Sequence, residues 1–175
     1  MRLFCRKAIT VARTYILNKQ QIQFKLKRMA LQIAERNFDA TQLVLAGIAP
    51  QGPIIIEQLI THLQPYFKGT LQQLTLHLDK RHPTTVTLEG TATLNANTVL
   101  LLVDDVANSG KTLTYALKPF LEQHPASIQT LVLVNRTHKK YPVQPDYVGF
   151  TLATTLQEYI DVEVQEGELV GAWVE

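Results

Sequence analysis

The chain has a single cysteine, Cys5, so no internal disulfide can form. That excludes a disulfide-stapled extracellular fold and makes a reducing cytoplasm the expected compartment. No apolar run approaches the roughly 20 residues that cross a bilayer, so no membrane partner is expected. The opening MRLFCRKAITVAR is broken by charges and makes a poor signal peptide. His62, His77, His82 and His124 lack metal-ligand spacing, and no Ser-His-Asp or Cys-His set is evident. No internal repeat, low-complexity tract or convincing linker interrupts the chain.

Charge is missing by sign at each end. Residues 1–34 hold eight Lys and Arg and no acid; residues 141–175 hold seven acids and no Lys or Arg. A basic arm of this kind suits nucleic acid. The near match in number favours a second reading, in which the two ends lie side by side, or meet across a dimer, and neutralise one another.

What is present is a 175-residue chain, 46% hydrophobic, long enough to bury one core as a single domain over 1–175. Asn18 predicts the cap of a helix to about Asn37, with Ile22, Leu26, Met29 and Ile33 on one face. Leu43–Ile48 reads as a strand ending in the turn 47–52, and Pro53 suits the first turn of a helix to about Leu63. Leu71–Leu78 alternates as a strand, Asp79–Pro83 reads as a loop, and Thr84–Leu94 as an extended ribbon. A strand 98–104, a helix 111–123, and strands at 128–134 and 147–152 follow. Residues 162–174 read as a hairpin about Gln165-Glu166-Gly167. Trp173 and Phe150 read as core or dimer contacts.

Alternating strands and helices predict an α/β fold: a doubly wound, mostly parallel sheet with helices on both faces. Ligands then sit beyond the carboxyl ends of the strands. Loop 47–52, the pair Asp104-Asp105 with loop 107–112, and segment 135–140 all fall there.

The stretch TVLLLVDDVANSGKTL, residues 98–113, ends in SGKT like a phosphate-binding P-loop. That pattern needs a glycine where this chain has Asp105, and a carboxylate there would repel phosphate. The rest is self-consistent: a buried strand, two acids, a small-residue turn, then a helix. Loop 107–112 feeds a helix N-terminus that favours an anion, with Ser109, Thr112 and Lys111 adding donors and Gly110 a sharp turn. A phosphate monoester fits such a nest. Asp104 and Asp105, as acceptors, suit the hydroxyls of an attached sugar.

VLLLVDDVANSGKTL resembles the signature of the type I phosphoribosyltransferases, which bind phosphoribosyl pyrophosphate (PRPP). ILNKQQIQFKLKRMALQIAERN, LVLAGIAPQG and VLVNRTHKKYPVQPDYVG extend the likeness towards the bacterial pyrimidine-operon regulators that double as uracil phosphoribosyltransferases. About the first dozen residues (1–13) and the extreme C-terminus fall outside it. The resemblance implies that Asp104 and Asp105 hold the ribose hydroxyls and that Asn108, Ser109, Gly110, Lys111 and Thr112 cradle the 5-phosphate. It implies that Ala49, Pro50, Gln51 and Gly52 meet pyrophosphate, with Mg²⁺ held by Asp104 and Asp105 only through the substrate. A loop over 77–83 closes on the reacting centre. A hood over 135–150, with Arg136, His138, Lys139, Tyr147 and Val148, holds the base.

This chain departs from the pattern at three places. Gln51 stands where the family's pyrophosphate turn carries Arg or Lys, and Leu76-His77-Leu78-Asp79 replaces Leu-Tyr-Arg-Asp, so Lys80 and Arg81 are the candidate catalytic cations. Asn108 replaces the acid of purine-specific relatives, which points to a pyrimidine. The expectation is a homodimeric phosphoribosyltransferase. An RNA-binding regulator that only senses PRPP or nucleotide is the alternative, and RNA is the less favoured partner.

Overall fold

The computed structural model describes residues 14–153 and 159–174. The expected extension 1–13 lies outside them. A short strand β1 (Thr14–Asn18) leads into helix α1 (Lys19–Arg36). Asn18 Oδ1 accepts from the Gln21 amide and Gln21 Oε1 accepts from the Asn18 amide, both at 2.9 Å, closing a capping box. Ile22, Leu26, Met29 and Ile33 are then carried inward at helical spacing and are fully buried.

Strand β2 (Gln42–Ile48), helix α2 (Gln51–Leu63), strand β3 (Thr70–Leu78), edge strand β4 (Val86–Glu89) and strand β5 (Thr98–Ala107) come next. Helices α3 (Lys111–Ala116) and α4 (Lys118–Leu121), strands β6 (Ser127–Arg136) and β7 (Tyr147–Leu152), and the hairpin β8 (Ile160–Gln165) and β9 (Glu168–Val174) complete the chain. The main sheet runs β4-β3-β2-β5-β6-β7, parallel except for β4. Its central strands are apolar over Leu43–Ile48 and Val99–Val103, as burial on both faces requires. One face packs on α1 and α2, the other on α3, α4 and the fully buried Phe120.

A second sheet, antiparallel in the order β1-β9-β8, contributes Val162, Leu169 and Ala172 to the α1–α2 side of the core. The hairpin turns at Glu166 and Gly167, both at positive φ, a two-residue geometry matched to strand twist.

Three expectations are corrected, and one strand was missed. The helix over 111–123 is two pieces, because Pro119 has no amide to donate and the bonding rephases to Phe120 N–H on Leu117 O at 2.9 Å. The ribbon 84–94 is a strand only over 86–89, ending at Gly90, whose φ of +101° turns the chain away. Strand 98–104 runs on to Ala107, which pairs with Asn135, so the two acids lie within the ladder rather than beyond it. Strand β1 was not anticipated.

Candidate active site

The carboxyl ends of β5 and β6 open on one cleft, together with the loop after β3 and the head of β8. Asp104 and Asp105 are 1% and 9% exposed at its floor. Lys80, in the loop after β3, reaches both: its Nζ donates to Asp104 Oδ1 at 2.9 Å and to Asp105 Oδ1 at 2.8 Å. The Asp105 amide also donates to Asp104 Oδ1 at 3.0 Å. Burial, then the neighbouring Asp105 charge, pushes the Asp104 carboxyl well above the usual range, against the pull of Lys80. Burial also opposes ionisation of Asp105, but the Lys80 charge and its hydrogen bonds outweigh it and hold that carboxyl low. Burial would lower the Lys80 ammonium, yet the two carboxylates raise it.

The same loop is tied on its other side. Lys111 Nζ donates to the Arg81 carbonyl at 2.9 Å, and the Arg81 amide donates to Asp79 Oδ1 at 2.8 Å. Segment 79–82 therefore spans from the acid pair to the start of α3.

Loop 108–110 is shaped for an anion. Gly110 sits at φ +80°, and a Cβ there would lie 3.2 Å from the Val143 carbonyl. The amides of Lys140 and Tyr141 both donate to Ser109 O at 3.0 Å, holding the loop from above. A depression of about 50 Å³ lies inside residues 104–113. It adjoins a cleft of about 400 Å³ lined by Lys80, Arg81, Asp105, Asn108, Lys111 and Thr112 on one side and Arg136, Tyr159 and Ile160 on the other. A cavity of about 430 Å³ at the β3–β4 edge has no charged lining residue and so offers a phosphate nothing.

The turn 49–52 lies against the end of β5, and none of Ala49, Pro50, Gln51 and Gly52 is among the residues that line the cleft. Ala49 N–H donates to Leu76 O at 2.9 Å, the Ala49–Pro50 bond is cis, and Gln51 opens α2. A Cβ on Gly52 would lie 2.8 Å from the Val103 carbonyl, and one on Gly47 2.6 Å from the carbonyl carbon of Gly52. Only glycine lets this backbone approach so closely.

The expected base-binding residues divide. Arg136, 3% exposed at the end of β6, lines the cleft. His138 and Lys139 lie in the loop that follows; Lys139 Nζ donates to Val143 O at 3.1 Å, and burial lowers the ammonium. Tyr147 and Val148 are not brought to the cleft. Tyr147 pairs with Leu131, well before the end of β6; its hydroxyl donates to Gln129 Oε1 at 2.7 Å and burial pushes it up. The Val148 carbonyl accepts from Arg28 at 2.6 Å on the sheet edge.

Two features went unread in the sequence. Tyr159, 65% exposed, and Ile160 line the cleft at the head of β8. The alternation Ile160, Val162, Val164 signals a strand beginning there. Asn135, the first residue of the expected hood, is 8% exposed beside Arg136 and has a side-chain oxygen with no hydrogen-bond partner among the described residues. An unpaired buried acceptor is costly and suits a donor supplied by a ligand.

The residues suit Mg²⁺ only through substrate. Among the described residues no group of three or more His, Cys, Asp or Glu could hold a metal. Two carboxylates that accept from sugar hydroxyls suit an ion whose ligands are phosphate and ribose oxygens and water.

Of the bases within residues 1–34, Lys19 pairs with an acid of the C-terminal stretch, Glu168, while Arg2, Arg6, Lys7 and Arg13 lie outside the described residues; Arg36, just past that run, pairs with Asp146 at 2.8 Å. No helix among the described residues is long and apolar enough to cross a membrane.

The phosphoribosyl transferase domain matches residues 13–166. The bifunctional protein PyrR of Trichormus variabilis is 33% identical over 166 residues, 86% of this chain and 88% of that protein. PyrR of Bacillus pumilus is 31% identical over 163 residues, 86% and 90% of the two chains. The fold is also that of the hypoxanthine phosphoribosyltransferase of Trypanosoma cruzi: TM-score 0.76 at 18% identity, over 92% of this chain and 95% of that one. A hypoxanthine-guanine phosphoribosyltransferase of Bacillus anthracis superposes with TM-score 0.69 at 21% identity, over 86% and 87%.

Proposed function

Since this chain belongs to the phosphoribosyl transferase domain family, we propose that it transfers phosphoribose from PRPP to a pyrimidine base, uracil foremost. The products are a nucleoside 5-monophosphate and pyrophosphate. The observation that carries this reading is the juxtaposition of a buried acid pair with the nest at 108–112. In this reading Asp104 and Asp105 accept from the ribose hydroxyls, loop 108–112 holds the 5-phosphate, and turn 49–52 meets pyrophosphate.

The C1–oxygen bond breaks with its electron pair leaving on pyrophosphate, and a ring nitrogen of the base bonds to C1 and gives up its proton to water. C1 becomes cationic between these events, as at a glycosidic bond. Asp104 and Asp105 stabilise that charge electrostatically, and no protein nucleophile is needed. Lys80 and Arg81 supply the cations that Gln51 does not. When bound with PRPP, Mg²⁺ neutralises charge on the leaving group.

In this reading Arg136 reads the base edge and Tyr159 covers its face, supported by their lining the cleft. Asn108 cannot take a proton as a carboxylate would, which supports a pyrimidine over a purine. We place the protein in the cytoplasm as a homodimer.

The test mixes protein, Mg²⁺ and PRPP with uracil, cytosine, hypoxanthine, guanine and adenine separately and reads monophosphate formation. Uridine monophosphate is expected. No product from any base, with PRPP bound normally, overturns the assignment.

The word bifunctional in the relatives' name supports a second reading, an RNA-binding regulator. Lys19, Arg28 and Arg36 are already engaged with Glu168, with the β7 carbonyls and with Asp146. RNA binding would show a steep salt dependence in gel shifts; affinity weak at both low and moderate salt counts against it.

A further inference from the structure

Residues 79–82 cross the cleft as a strap fastened at two points. At one, Lys80 Nζ donates to Asp104 Oδ1 at 2.9 Å and to Asp105 Oδ1 at 2.8 Å. At the other, Lys111 Nζ donates to the Arg81 carbonyl at 2.9 Å. Between them the backbone is braced. The Arg81 amide donates to Asp79 Oδ1 at 2.8 Å, the Thr84 amide donates to the His82 carbonyl at 2.7 Å, and His82 Nδ1 lies 3.7 Å from Asp79 Oδ2. Adjacent residues of one short turn carry both fastenings, so freeing one loosens the hold on the other.

The two fastenings differ in strength. Lys80 meets two buried carboxylates, whereas Lys111 meets a neutral carbonyl in an exposed contact. A phosphate attracts an ammonium far more strongly than a carbonyl dipole does. An anion seated in loop 108–112, which includes Lys111 itself, therefore takes that ammonium from Arg81. Sugar hydroxyls are neutral donors, and unaided they do not displace a charged donor from two carboxylates.

We propose that Lys111 couples the two halves of the cleft: a phosphate in loop 108–112 draws its ammonium off the Arg81 carbonyl, and the loosened strap lets Lys80 leave Asp104 and Asp105. Lys111 acts here as a positioning residue, through the strap rather than on the reacting atoms. The 5-phosphate then governs access to the acid pair as well as affinity, and a sugar without it is turned away. This coupling rests on the proposed phosphate and ribose sites and adds an order that neither implies, phosphate before sugar.

Trypsin cleavage after Lys80 and Arg81 in the full chain tests it, followed by mass spectrometry, with calorimetry recording what binds. Where a segment opens and recloses quickly, cutting follows the open population. The wild-type chain alone should be cut slowly there. Ribose 5-phosphate should raise the rate about tenfold or more, as expected for the loss of a hydrogen bond to a charged group. Inorganic phosphate at saturation should raise it too, and ribose should not. Lys111→Met should be cut fast without ligand and be indifferent to phosphate, with circular dichroism checking its fold. Lys111→Arg keeps a donor for the carbonyl and should restore slow cutting. A merely structural Lys111 would not make the wild-type rate respond to phosphate. Ribose 5-phosphate that binds without quickening the cut overturns the coupling and leaves the two sites standing. Ribose that quickens it equally also overturns the coupling, because sugar then displaces Lys80 unaided. Failure of both ribose 5-phosphate and PRPP to bind overturns the sites and the coupling together.

Discussion

Lys80 Nζ lies 2.9 Å from Asp104 Oδ1, so a residue 24 positions earlier in the chain neutralises the floor of the cleft. The same ammonium holds Asp105 at 2.8 Å. Loop 79–82 is thereby drawn over the place proposed for the ribose hydroxyls, and PRPP must take those carboxylates from Lys80. Pyrophosphate, arriving with the sugar, offers the ammonium a new anion.

Replacing Lys80 by Met should show both sides of that exchange. Removing one partner of a fully buried pair costs about 3–5 kcal/mol. Lys80 is partly solvated, so about 1–2 kcal/mol is expected, read as a lower melting temperature at neutral pH. Turnover should fall by on the order of 10²-fold through lost electrostatic stabilisation. An unchanged melting temperature would mean that the ion pair does not hold in solution.

The two acids should respond to pH in opposite senses. Asp104 is raised, so the fold favours its protonated form; that contribution is complete below about pH 4 and is lost as pH rises through the raised value. Asp105 is depressed; its contribution is present above about pH 4 and is lost as pH falls through the lowered value. Lys80 is raised and stays charged throughout that range, so it adds no slope there. Melting curves near neutrality should therefore show Asp105→Asn costing more stability than Asp104→Asn. The reverse order would mean that the two environments are interchanged.

Turnover should rise with pH as Asp104 loses its proton and becomes the better acceptor for a ribose hydroxyl. The acid limb of the rate profile is expected above the ordinary carboxylate value of about 4. Asp104→Asn should remove that limb; a limb that persists unchanged belongs to another group.

Substituting both acids by Asn should cut turnover on the order of 10²-fold or more while PRPP affinity falls less, because the phosphate nest is untouched. Gly110→Val should do the opposite. A β-branched residue at φ +80° is strained, its Cβ sits against the Val143 carbonyl, and phosphate binding should fail first. Calorimetry with PRPP and steady-state rates, run side by side, separate the two; equal losses in both would mean that sugar and phosphate roles are wrongly divided.

A small substitution tests the pyrophosphate turn. Gly52→Ala forces a carbon to within 2.8 Å of the Val103 carbonyl, and overpacking of this kind costs about 1–3 kcal/mol. The melting temperature should drop and pyrophosphate inhibition should weaken. Wild-type behaviour in both would show that β5 yields at this point.

The residues legible in advance were those whose neighbours in sequence are their neighbours in space. The apolar run into Asp104, the capped start of α1 and the left-handed Gly110 declare themselves within a few positions. What sequence could not carry was register and direction. DYVG marks a strand, but only its pairing with Leu131 and Val132 shows that Tyr147 and Val148 stop short of the cleft. A basic loop at 80–81 was visible, whereas its fall onto the acid pair depends on how β3 ends. Strand β1 is five residues long with an exposed Tyr15, and its partner lies some 150 residues away, so nothing local marks it.

That last pairing sets an order on synthesis. Every strand of the large parallel sheet lies before residue 153, so a ribosome that has released that far has supplied the whole of it. Among the described residues strand β1 is made before every other strand, yet its partner β9 comes after all of them and sits in the middle of the small sheet, between β1 and β8. Domains assemble as they emerge, but here β1 waits, edge unpaired, while some 150 intervening residues are made. A chain released early, before residue 168, would hold the parallel sheet without the strand that joins its beginning to its end.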